Sequence, residues 1–145
     1  MPVVIEALMD EPFRQVIRAD GHAFFADVDR DKGGQATAPN PHHLLFGAWG
    51  ACTAMTIQMY ARRKGWKLES ITVSFDEVRQ TGQPPLIYKK IQISGDLTPE
   101  QQQALERIAE KCPVNQLITG EKRIEQTFLF GSAPASEAIA GKQNG

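Results

Sequence analysis

Cys52 and Cys112 are the two cysteines of a 145-residue chain and stand sixty positions apart. Two thiols are too few for a disulfide scaffold, and in a reducing compartment a bridge between them is transient rather than structural. Cys52 lies within "APNPHHLLFGAWGACTAMTIQMYARRKG", residues 38–65, a stretch that reads as one long helix. It falls about three turns from the start, beyond the first turn where the helix dipole assists an anion. Apolar surroundings raise a thiol's pKa, so Cys52 is an inert core residue unless a cation is brought to it. Arg14 and Arg18 are the candidates for that cation. Cys112 directly precedes Pro113. Either it is a plain helix-end residue, or it caps a short following turn whose unpaired N–H groups favour its thiolate.

The histidines offer less. His42 and His43 are adjacent, so on a helix their side chains diverge by about 100° and cannot share a metal without help, and His22 stands apart. A zinc site built on Cys52 and nearby histidines lacks an i, i+4 pair or a Cys-x-x-Cys unit. The chain also has no glycine-rich phosphate loop of Walker or dinucleotide type and no Gly-x-Ser-x-Gly elbow. No metal or cofactor is expected.

The elements that must position these residues follow from periodicity and turn chemistry. Phe13 to Arg18 and His22 to Val28 are predicted strands joined across Ala19-Asp20-Gly21, because Asp-Gly between extended runs marks a hairpin. Residues 29–39 carry glycine and proline without hydrophobic periodicity and form a loop. Asn40 is the expected N-cap of the long helix, with Pro41 at its first position, three cations at its C-terminal end and Gly65 beyond. Ile71, Val73 and Phe75 alternate, as do Ile87, Ile91 and Ile93, which predicts an antiparallel hairpin across Gly82 and Pro84-Pro85. Thr98-Pro99-Glu100-Gln101 predicts a capping box opening a helix that ends near Cys112. Val114 to Ile118 is a short further turn and Ile124 to Phe130 a final strand. Residues 131–145 are expected to be a mobile tail after a single domain spanning 1–130.

Strands, long helix, strands, helices and strand in that order make an α+β domain. Sixteen basic against seventeen acidic residues give a net charge of −1, which suggests neither a nucleic-acid face nor a polybasic membrane anchor. Leu44 to Ala61 approaches the length of a membrane span, but Gly47, Gly50, Thr53, Thr56 and Gln58 lower its hydrophobicity. It is better read as a helix buried on nearly every side. A small sheet covers one face of such a helix, so the other calls for a second subunit and predicts an obligate homodimer. The start of the chain, MPVVIEALMDEP, does not read as a secretory signal, and the expected location is cytoplasmic.

The segments "GGQATAPNPHHLLFGAWGACTAMTIQMYARRKG" and "ISGDLTPEQQQALERIAEKCPVNQLI", with their sixty-residue cysteine spacing, resemble the OsmC/Ohr family of osmotically inducible and organic hydroperoxide resistance proteins. The resemblance runs from about Gly21 to Phe130. It implies an OsmC-like α+β fold in which antiparallel sheets wrap long central helices of an intertwined homodimer, with each active site at the subunit interface. The implied activity is a cysteine-based peroxidase that reduces organic hydroperoxides, with a lipoyl-type dithiol as reductant and no metal or flavin. By motif, Cys52 matches the peroxidatic cysteine and Cys112 the resolving one. Arg18 sits before its Asp-Gly turn much as the family arginine does, with one extra residue between. His42 stands ten before Cys52, where the peroxidase branch usually has a glutamate that holds the arginine. A neutral imidazole accepts a bond from arginine, whereas a protonated one repels it. The alternative is a non-catalytic dimer of the same fold that binds a small apolar or acyl ligand at its interface.

Overall fold

A computed structural model describes residues 2–131, so the expected tail lies outside the described residues apart from Gly131. The described chain divides into two compact units, one of residues 2–44 with 124–131 and the other of residues 45–123.

The first unit is built on an antiparallel sheet of Val4–Ala7 (β1), Gln15–Ala19 (β2) and His22–Ala26 (β3), with β2 in the middle. The β2–β3 turn is the predicted Asp-Gly turn, with φ of 51° at Asp20 and 79° at Gly21. Both positive angles match the right-handed strand twist, which is why this dipeptide serves here. β1 was not expected, since it is four residues long with Glu6 inside it. It forms because β2 offers a free edge, pairing Val4 with Arg18 and Ile5 with Ile17. Beyond a 3-10 turn at Arg30–Lys32, the chain doubles back so tightly that a Cβ on Gly34 would lie 1.9 Å from the Val28 carbonyl oxygen.

The predicted final strand is corrected: residues 124–130 carry no strand pairing in the single chain. Their apolar side chains remain in solvent, with Ile124 83% and Phe130 94% exposed. Apolar residues alone do not make a strand. The backbone also needs a neighbouring edge for its N–H and C=O groups.

The second unit holds most of Pro41–Lys64 (α1), which begins in the first unit, followed by Leu68–Val78 (β4), Leu86–Gly95 (β5), Pro99–Ala109 (α2) and Pro113–Thr119 (α3). The starts and stops are those the sequence predicts. Asn40 caps α1 by accepting the His43 N–H at 2.8 Å, and Gly65 follows with φ of 75°. Thr98 and Gln101 form the reciprocal capping box of α2. β4 and β5 pair antiparallel, setting Ile71 opposite Ile93, Val73 opposite Ile91 and Phe75 opposite Lys89. One face of this hairpin, with α2, covers one side of α1. Ile57, Ala61, Leu105 and Ala109 form the buried centre, flanked by Ile71, Ile91 and Ile93. The opposite face of α1 stays open in the single chain, with Leu45, Met55 and Met59 all exposed.

Candidate functional site: a buried cysteine pair

At 3.6 residues per turn, Trp49, Thr53, Ile57 and Ala61 share the covered side of α1, and all four are buried. Cys52 is half-buried at the seam between the covered and open faces. Gly50 lets this part of the helix press close to β4, since a Cβ there would lie 3.1 Å from the Phe75 ring. Phe75 in turn stacks on Phe46 at 5.2 Å and packs against Trp49 at 5.1 Å. Thr53 is fully buried, and its hydroxyl donates to the Trp49 carbonyl at 3.1 Å.

Cys112 lies between α2 and α3 with no exposed surface. It caps α3 by accepting the Asn115 N–H on its sulfur at 3.4 Å. The Asn115 side chain is itself held, accepting from the Trp49 indole N–H at 3.1 Å and donating to the Glu110 carbonyl at 3.3 Å. The side chains of Cys52 and Thr53 lie beside Cys112 and favour its thiolate. Burial works against the Cys112 anion. The polar groups around it, the Cys52 side chain, the Asn115 N–H, the Thr53 hydroxyl and the Val114 N–H, outweigh burial and hold the thiol below its ordinary pKa. Both cysteines are free thiols. Packing thus joins two sulfurs sixty positions apart in sequence.

A third residue belongs to this site and was missed from the sequence. Lys89 lies on the inward parity of β5 with Ile91 and Ile93. Its ammonium donates to Thr53 Oγ1 at 2.8 Å and sits 4.9 Å from the centre of the Trp49 ring. Desolvation lowers its pKa, against the attraction of Cys112, Glu110 and Cys52, which raises it. The signal was available: a lysine interrupts the apolar parity of a predicted strand. Only the hairpin register and the packing of α1 show what it touches.

Arg18 belongs to the first unit, where its guanidinium bonds Glu6 at 3.1 Å across the β1–β2 pair, with both side chains more than half exposed. Arg14 stacks over the Phe25 ring at 4.3 Å in the same unit. His42 is exposed in the first turn of α1. Among the described residues no cluster of three or more His, Cys, Asp or Glu could hold a metal ion, and no helix is long and apolar enough to cross a membrane. An open groove of about 710 Å³ runs along the C-terminal half of α1, lined by Met55, Met59, Trp66 and Leu68 among others, and neither cysteine lines it.

A long helix bearing one thiol, backed by an antiparallel hairpin and meeting a second thiol at the junction of two short helices, defines an OsmC-like α+β fold. The chain belongs to the OsmC-like protein family, which residues 33–127 match. No curated protein sequence matches it significantly. Among solved structures it is similar to an osmotic stress induced and detoxification response protein of Psychrobacter arcticus. That match has a TM-score of 0.66 and 19% identity over 79% of this chain and 85% of the other. An OsmC-like protein of Mycoplasma pneumoniae also gives a TM-score of 0.66, with 16% identity over 83% of this chain and 89% of the other. An organic hydroperoxide resistance protein OsmC of Legionella pneumophila gives 0.57, with 22% identity over 83% and 90%. At these identities the likeness establishes the fold.

Proposed function

We propose that the chain is a thiol-dependent peroxidase that reduces organic hydroperoxides through Cys52 and Cys112. The observation that supports this most is that the Cys52 side chain lies beside the buried Cys112 thiol, so that a sulfenic acid on either has the other as its neighbour. A relative bearing the name organic hydroperoxide resistance protein lends the substrate class. In the proposed cycle the Cys52 sulfur attacks the distal peroxide oxygen. Its proton passes to the Cys112 thiolate, and the O–O bond breaks. The departing alkoxide takes a proton to become an alcohol, leaving Cys52 as a sulfenic acid. Cys112, again a thiolate, then attacks the Cys52 sulfur and displaces hydroxide, which leaves as water. The products are one alcohol, one water and a Cys52–Cys112 disulfide, which a lipoyl-type dithiol reduces by exchange.

Arg18 is assigned the role of bringing a guanidinium to the peroxide and the reacting sulfur, with His42 as its acceptor in place of the family's glutamate. The Arg18–Glu6 pair is exposed and therefore weak, so it does not bar the guanidinium from a stronger partner. The working form is a homodimer of single-domain subunits, acting in the cytoplasm without nucleic acid, membrane, metal or flavin. The direct test is consumption of cumene hydroperoxide by the pure protein with dihydrolipoamide. We expect turnover that Cys52→Ser abolishes. We also expect a Cys52–Cys112 disulfide by mass spectrometry after one equivalent of peroxide. No consumption by the wild type overturns the reading and favours the alternative, a dimer that binds an apolar or acyl ligand without catalysis.

A further inference from the structure

Lys89 is a cation placed where an aliphatic residue would satisfy the fold. It occupies the same face of β5 as Ile91 and Ile93, opposite Phe75 on β4, and is half-buried against α1. Its ammonium is fixed from two directions, by the Thr53 hydroxyl at 2.8 Å and by the Trp49 ring at 4.9 Å. Both anchors are buried, and both lead to the same sulfur. Thr53 follows Cys52 directly and lies beside Cys112. Trp49 holds Asn115, whose N–H bonds Cys112 Sγ at 3.4 Å. Lysine, threonine, tryptophan and asparagine therefore form a chain of contacts that ends on one thiol.

A hydroxyl has one proton to give. When the Thr53 oxygen accepts from an ammonium, its own O–H becomes a better donor. That proton is donated to the Trp49 carbonyl at 3.1 Å, and the neighbouring Cys112 sulfur, once anionic, is the stronger acceptor. We propose that Lys89, acting through Thr53, is the positioning cation that stabilises the thiolate of the cysteine pair. The ammonium lies in a partly desolvated site, where a charge acts on a neighbouring anion more strongly than it does in water. The groups facing it are Cys52 on α1 and Cys112 and Glu110 at the end of α2. Glu77, on the same face of β4, is already paired with Arg79 at 2.8 Å. Lys89 is thus not committed to a carboxylate on its own sheet.

The assignment rests on the cysteine pair being the working site, but its test needs no peroxide. Thiolate content is followed by absorbance near 240 nm and by the pH dependence of iodoacetamide alkylation, with Cys52→Ser used to isolate Cys112. Lys89→Met keeps the length and apolar stem and removes the charge. It is expected to move thiolate formation to higher pH and to lower the alkylation rate at neutral pH by about tenfold, a one-unit shift. Lys89→Arg is expected to recover most of that loss, which a purely structural role would not predict. A second measurement leaves Lys89 in place, so that folding of the methionine variant does not decide the matter. Linkage is reciprocal, so the Lys89 resonance in protein carrying ¹³C-dimethylated lysines is expected to titrate at lower pH in Cys112→Ser than in the wild type. Thiol profiles of Lys89→Met that superimpose on the wild type, or a Lys89 titration unmoved by loss of Cys112, overturn the assignment. Absence of peroxide turnover with both shifts present would overturn the peroxidase reading and leave this one standing.

Discussion

Asp27 holds an irregular segment by side-chain bonding that regular structure cannot supply. Its carboxylate accepts the Thr37 hydroxyl at 2.5 Å, the Thr37 N–H at 3.0 Å and the Val28 N–H at 2.8 Å. The Thr37 side chain, followed by the two backbone N–H groups, lowers the carboxyl pKa. Burial opposes this and the Arg14 charge adds to it. A carboxyl whose folded-state pKa lies below its unfolded value stabilises the fold above the unfolded value, near pH 4, and loses that contribution as pH falls through the folded one. Asp27→Asn is therefore expected to be less stable than the wild type in urea at pH 7. The gap should narrow progressively below about pH 4. An equal gap at pH 7 and pH 3 would show that the charge is not what matters. The same logic of bonding to an anion, with sulfur in place of oxygen, governs Cys112.

Among the elements, α1 carries the heaviest constraint, because it must bring Cys52 and Thr53 down to α3 and β5 while leaving its other face open. Gly50 permits this. A Cβ at that position meets the Phe75 ring at 3.1 Å and Val73 Cγ1 at 3.5 Å. Phe75 has little room to yield, being stacked on Phe46 and packed against Trp49. Gly50→Val is thus expected to cost about 1–3 kcal/mol by overpacking, measured by urea denaturation. It should also displace Thr53 from Lys89, so thiolate content ought to drop with stability. A variant as stable as the wild type would mean that β4 can retreat from the helix.

For the whole molecule, the open face of α1 is the surface on which we expect two chains to associate. Met55 is 56% and Met59 64% exposed, on the side of the helix away from Ile57 and Ala61. Both border the 710 Å³ groove that also takes in Trp66 and Leu68. Ile124, Phe128, Leu129 and Phe130 are exposed as well. We expect sedimentation at twice the mass of one chain at micromolar concentration. Met55→Lys and Met59→Lys should each weaken association about ten- to a hundredfold, in keeping with the free energy of burying a methionine. A stable wild-type monomer at that concentration would contradict this.

Sequence by itself determined the local grammar of this protein. Asp20-Gly21, Asn40-Pro41 and Thr98 with Gln101 each satisfy backbone groups within a few residues, so their effect does not wait for packing. Cys52 and Cys112 were legible as chemistry, and the motifs around them identified the family. β1 was not legible, because it is four residues long with Glu6 inside it, and only the edge of β2 draws it into a sheet. The strand expected at 124–130 went the other way, with the pattern present but no edge in the single chain to complete it. Only the tertiary structure showed that a lysine ammonium reaches the residue next to Cys52. Arg14 and Arg18 were the arginines the sequence offered; Lys89, from a strand thirty-seven positions beyond Cys52, was not singled out, and its ammonium bonds the Thr53 hydroxyl. A charge acts through distance in space, and that distance is set by hairpin register and helix packing, neither of which is encoded by the spacing of any motif.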